Sequence, residues 1–137
     1  MTEMQDFNKR IIDEFRANDG VVGPPFAGAT LLLLTTKGAK SGEERVNPLV
    51  YFGNDDRIFV FASAGGAPRH PDWYHNLTAN PDVTVEVGTK TIAARAVDVP
   101  DPERARIYSE QAARSPQFAE YATNTTRTIP VVEIVPA

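Results

Sequence analysis

Cysteine is absent from the 137 residues. The chain therefore carries no disulfide framework, thiolate zinc site, iron–sulfur cluster or cysteine nucleophile, and the cytoplasm is its expected compartment. Positive charge is scarce: 14 lysines and arginines against 18 acidic residues leave a formal net charge of −4. That is a poor electrostatic footprint for a polynucleotide binder, so no nucleic-acid partner is expected. Long apolar runs are missing as well. The strongest, from Ala29 to Leu34, falls far short of the roughly 20 residues that span a bilayer. Glu3 and Asp6 stand where a secretory signal would place a basic region, so no export signal is expected. His70 and His75 fall outside the i, i+4 spacing of a helical metal site and no third ligand is indicated, so no metal is expected.

What is present is an ordinary globular composition, 42% hydrophobic and 23% charged, which excludes wholesale disorder. A chain of this length buries about two-thirds of its unfolded surface, and one domain over residues 1–137 is expected. Met4, Phe7, Ile11, Ile12 and Phe15 recur at spacings of three and four, predicting an amphipathic helix over residues 1–18. Its polar face mixes both charge signs, so the helix reads as packed on the core, with peripheral membrane contact as the lesser alternative. Gly20 to Gly28, with two prolines, makes a loop or lid. Thr30–Thr36, Arg45–Phe52 and Arg57–Ser63 predict three antiparallel strands, the last two joined by a turn at Gly53-Asn54-Asp55-Asp56. A short helix is expected over Pro71–Thr78. A second hairpin follows from Val83, Val85 and Val87 through Gly88-Thr89 to Val97–Val99. Helices over Asp101–Ala113 and Pro116–Ala122 and a strand over Ile129–Val135 complete the chain. Strands arriving as hairpins argue for a mainly β, α+β barrel with peripheral helices, not a doubly wound parallel sheet.

The segment Thr35 to Pro48 places Lys37, Lys40 and Arg45 around Gly38 and Gly42 between two strands. Glycines that free backbone N–H groups, flanked by cations, suit an anion cradle; a solvated hairpin loop, its charge reduced by Glu43 and Glu44, is the other reading. Ala62-Ser63-Ala64-Gly65-Gly66 offers small residues over which a flat ligand reaches the backbone, or a plain turn. Trp73 is either a core anchor or a ligand platform. A hydrolase triad from Ser63, a histidine and Asp72 lacks any nucleophile-elbow sequence.

Phe7-Asn-Lys-Arg10, Leu34-Thr-Thr-Lys-Gly, Ser41-Gly with Arg45-Val-Asn-Pro-Leu49, Ser63-Ala-Gly-Gly66, Pro71-Asp-Trp-Tyr-His-Asn-Leu77, Ala79-Asn-Pro81 and Arg127-Thr-Ile-Pro130 together resemble the deazaflavin-dependent nitroreductase family of actinobacteria. The resemblance implies a split β-barrel of the FMN- and deazaflavin-binding type. It also implies a reductase that uses coenzyme F420, a flat tricyclic deazaflavin with one phosphodiester and a glutamate tail. By that resemblance Lys40 meets the tail and Arg45 the phosphate. Asn47 and Pro48 line the path to the ring, and Ala62, Ser63, Ala64, Gly65, Gly66 and the backbone of Asp72 and Trp73 border it. Ser63 and Tyr121 match positions beside the acceptor and are the candidate catalytic groups. The expected acceptors are small conjugated molecules: quinones, enones, unsaturated lactones and nitro compounds.

The chain departs from the nitroreductase members at Ala39 and Ala64, where they carry basic residues, each loss removing a charge-assisted contact worth about 1.5–3 kcal/mol. Lys37 and Arg69 are candidate substitutes. Ser115 and Phe118 replace tyrosines, which disfavours bulky nitroimidazoles. The alternatives are an FMN-dependent split-barrel oxidoreductase and a non-catalytic deazaflavin carrier, as monomer or homodimer.

Overall fold

The computed structural model describes residues 3–23, 30–54 and 56–137. Most of the expected Gly20–Gly28 loop, the turn residue Asp55 and the Met4 side chain lie outside that description. Six strands, β1 (Leu31–Lys37), β2 (Glu44–Asn54), β3 (Arg57–Phe61), β4 (Asp82–Val87), β5 (Lys90–Asp98) and β6 (Val131–Pro136), close a barrel in the order β1-β2-β3-β6-β5-β4 with every pairing antiparallel. Four helices, α1 (Glu3–Ala17), α2 (Asp72–Ala79), α3 (Glu103–Arg114) and α4 (Gln117–Thr123), surround it, with a 3-10 turn at Ala64–Gly66. The mainly β barrel with peripheral helices is thus the observed architecture.

Strand side chains alternate between two faces, and the register assigns them. Leu32, Leu34, Val60, Val83, Val85, Ala94, Ala96, Val132 and Ile134 fill the barrel with Trp73 and Leu77 of α2, which stoppers one end. On the outside, Leu31 and Leu33 receive Ile11 and Phe15 of α1. Phe52, Phe59, Phe61 and Val131 receive Ile107 and Tyr108 of α3 and Phe118 of α4. Ile11 and Phe15 are fully buried there, each stabilising by about 1.5–3 kcal/mol, so the apolar face of α1 is spent on the barrel.

At one end of the barrel the α1 segment is tied to β4 and to the β4–β5 turn. Arg16 donates to both carboxylate oxygens of Glu86 at 3.0 and 2.8 Å. Gly20, at φ +93°, lies so near Gly88 that a Cβ would stand 2.8 Å from its Cα, which requires glycine. The other end carries Lys37, Glu44, Phe61, Asp82, Asp98 and Val131, and α2 packs there, with Asn76 bonded to Thr36 and Tyr74 to Asp98. β2 pairs with β1 through Glu44–Val50 but with β3 only through Tyr51–Asn54. Among the described residues no ladder meets the second edge of Glu44–Val50, so the wall splits toward this rim. Pro48, without an N–H, suits an unpaired edge.

β3 ends at Phe61, two residues before its expected end at Ser63. Ser63 turns to φ −78°, ψ −32°, and Ala64 takes φ +48°. The reason is tertiary and belongs to the site.

Candidate functional site

The split brings the two sequence-predicted ligand segments to one rim. Asn47 and Pro48 lie on the part of β2 whose second edge no ladder meets among the described residues, and the segment after β3, Ala62 to Gly66, leaves the ladder at the same end of the barrel. Lys40 stands in the β1–β2 loop, Arg45 opens β2, and Asp72 opens α2. Tyr121, on α4, lies beside the 3-10 turn: at Gly66 (φ +85°) a Cβ would approach the Tyr121 Cα and carbonyl oxygen to 3.1 Å. Trp73 settles as a core side chain, leaving its backbone at the start of α2 for the rim.

The β1–β2 loop is exposed and charged. Gly38 donates to the Glu43 carbonyl at 2.7 Å and Gly42 to the Gly38 carbonyl at 2.9 Å, closing a tight turn. Lys37, Lys40 and Arg45 are all exposed. Arg45 pairs with Glu43 at 3.2 Å, with both side chains more than half exposed, a pairing that an incoming anion displaces at little cost. One buried side chain ties this loop down: Asn76 of α2 accepts from the Ala39 N–H at 3.0 Å and donates to the Thr36 hydroxyl at 3.2 Å. Ala39 thus contributes a backbone donor to the fold where a basic side chain was missed.

The segment after β3 is its opposite, mostly buried and uncharged. Arg127, just before β6, holds it from the far side: Nε donates to the Ala67 carbonyl at 3.0 Å, Nη1 to Ala62 at 3.1 Å and Nη2 to Ser63 at 2.8 Å. Ala62 in turn donates to the Pro130 carbonyl at 3.0 Å. With Ser63 turned out of strand dihedrals, these bonds hold the segment on the β6 side where β3 ends. Nη1 also meets His70 Nδ1 at 2.9 Å; because the guanidinium only donates, the imidazole is the neutral tautomer with its proton on Nε2. Burial, then the charges of Arg127 and His75, hold His70 below the ordinary histidine pKa, against a smaller opposing pull from Asp98. The His70 ring lies 4.9 Å from that of Tyr74, whose hydroxyl donates to the Asp98 carboxylate at 3.0 Å. Burial and then that bond push Tyr74 up to about 12.

Phe118, one of the departures noted above, packs 5.5 Å from Phe61 and 5.2 Å from Tyr121. Tyr108 donates to the Phe118 carbonyl, locking α3 to α4. Sequence reasoning missed Arg127 and Asn76 as positioning residues. Arg127 stands in a quoted motif with no acidic residue near it in the sequence, a signal that its partners are carbonyls; Asn76 gave no local signal. Among the described residues no group of three histidine, aspartate or glutamate side chains converges on a metal-sized site, and no helix is long and apolar enough to cross a membrane.

Comparison with known proteins settles the family. Residues 8–136 match the family model of the F420H(2)-dependent quinone reductases. The chain belongs to that family. A named F420H(2)-dependent quinone reductase of Mycobacterium tuberculosis is 41% identical over 124 residues, 86% of this chain and 82% of the relative. A solved F420-H2 dependent reductase is 37% identical, with a TM-score of 0.70 over 83% of this chain and 96% of its own. A solved structure described as a domain-swapped dimer is 36% identical, with a TM-score of 0.72 over 96% of both chains. Membership makes this F420-dependent reductase an oxidoreductase with coenzyme F420 as its cofactor, and FMN falls to a minor alternative.

Proposed function

We propose that the protein reduces small conjugated acceptors at the split rim: quinones first, then enones, unsaturated lactones and nitro compounds. The observation that carries this is the split itself. A β2 edge at Asn47 and Pro48 that no ladder meets among the described residues lies at the same end of the barrel as the small residues Ala62 to Gly66, with Lys37, Lys40 and Arg45 exposed there. A slot of that kind fits a flat ring, and the cations fit a phosphodiester and a glutamate tail. Reduced deazaflavin supplies a hydride when bound there. The chain's own part is to fix the geometry, exclude water and manage a proton. Arg45 and Lys40 hold the anionic parts; Asn47, Pro48, Ala62, Ala64, Gly65, Gly66 and the Asp72–Trp73 backbone border the ring. Ser63 and Tyr121 supply hydrogen bonds or a proton to the acceptor as negative charge develops. The compartment is the cytoplasm, and the similarity to a domain-swapped dimer supports a homodimer.

Titration of the protein with F420, followed by fluorescence quenching, should show micromolar binding. Adding menadione to the reduced complex should restore the oxidised deazaflavin absorbance. Tyr121→Phe and Ser63→Ala should lower kcat and leave F420 affinity near wild type. Tight binding without reoxidation by any quinone or enone would select the carrier reading, and FMN binding in place of F420 would overturn the cofactor placement.

A further inference from the structure

We propose that Arg127 is the positioning residue that keeps the split open, and that its bond to neutral His70 makes this hold sensitive to pH. The proposal rests on the reading of the split as the cofactor slot, but the hold itself is a property of the free protein. Continuing the β2–β3 register past Tyr51↔Val60 would set Val50 against Phe61 and Leu49 against Ala62. β-Ladders extend when backbone donors and acceptors are free to meet. Ala62 faces β6 in any case, donating to the Pro130 carbonyl, whereas Ser63 would face Pro48 in a continued ladder; Arg127 takes the Ser63 carbonyl, together with those of Ala62 and Ala67, so the acceptor that would turn toward β2 is spent elsewhere. A single ammonium group cannot do this, because the guanidinium spans three carbonyls with a planar fork.

His70 takes another of the Arg127 donors. Its surroundings are Arg127 from the β6 lead-in, Tyr74 and His75 from α2, and Asp98 from the end of β5, with Arg69 and Asp72 its charged chain neighbours. A proton on Nδ1 turns the acceptor into a donor facing a cation, and the bond is lost. Since the folded protein favours the neutral ring, the hold is complete above the ordinary histidine range and weakens as pH falls through the lowered folded pKa.

Backbone hydrogen exchange on the free protein reads this without cofactor. In Arg127→Gln, the amides of Val46 and Val50, which point away from β1, should gain protection as the ladder extends, while those of 62–67 change register. In wild type, protection of 62–67, corrected for the intrinsic pH dependence of exchange, should fall as pH drops below about 6.5; in His70→Gln, whose amide oxygen accepts from Arg127 but does not titrate, it should stay flat. F420 affinity should drop about tenfold or more in Arg127→Gln and in Arg127→Lys, and stay within about twofold in His70→Gln at pH 8. Unchanged exchange of Val46 and Val50 in a folded Arg127→Gln protein would overturn the role of Arg127. If that variant does not fold, a pH trend persisting in His70→Gln would overturn the coupled hold. Wild-type protein showing the exchange pattern but no F420 binding would contradict the cofactor slot and leave the hold standing.

Discussion

The two walls of the split are built by opposite means. The β1–β2 loop carries Lys37, Lys40 and Arg45 in water and is tied by one buried side chain, Asn76. The segment after β3 carries no charge from Ala62 to Ala67 and is tied by a guanidinium across three carbonyls and by a tight approach to α4. The difference teaches a division of labour. Anionic groups are captured by long, exposed side chains that adapt at low cost, whereas a rigid ring needs backbone held in one place before it arrives.

Breaking the common support should have the largest effect. Trp73→Ala removes the stopper beneath both walls and should destabilise by about 3–5 kcal/mol in chemical unfolding; a loss below about 1 kcal/mol would deny α2 that role. Gly66→Ala attacks the buried wall alone. It places a Cβ 3.1 Å from the backbone of Tyr121 at a positive φ, so a loss of about 1–3 kcal/mol with weakened F420 binding is expected. Asn76→Ala loosens the charged wall by stranding the Thr36 hydroxyl and the Ala39 N–H, at about 1–2 kcal/mol, with the Ala39 amide shifted in an NMR spectrum. Arg45→Ala should leave unfolding within about 0.5 kcal/mol of wild type and weaken F420 binding about tenfold. Salt sharpens the contrast further: added salt should weaken binding through the charged wall and leave the effect of Gly66→Ala unchanged.

Much of this frame was legible in the chain. The 3.6-residue period of Phe7, Ile11 and Phe15 and the alternation of Val83, Val85 and Val87 each report one buried face, and the observed α1 and β4 match them within two residues at each end. The cationic loop and the small-residue run were legible as composition, and both lie at the split rim. The split was not. It depends on β2 changing partners between Val50 and Tyr51, a non-local choice invisible to any window of sequence. The early end of β3 has the same origin, since Ala62 and Ser63 have strand-compatible neighbours and their carbonyls are held by a residue more than sixty positions away. Asn76 is hidden for a related reason: a polar residue on a short helix looks solvated until its partners on β1 and the following loop are known.

The division of labour is tested most directly by comparing intact F420 with its ring portion, the 8-hydroxy-5-deazariboflavin lacking phosphodiester and glutamates, on wild type and Arg45→Ala in equilibrium fluorescence titrations. The account predicts that Arg45→Ala weakens binding of the intact coenzyme about tenfold while leaving the ring portion unaffected. Equal losses for both ligands, or a ring portion that does not bind at all, would contradict it.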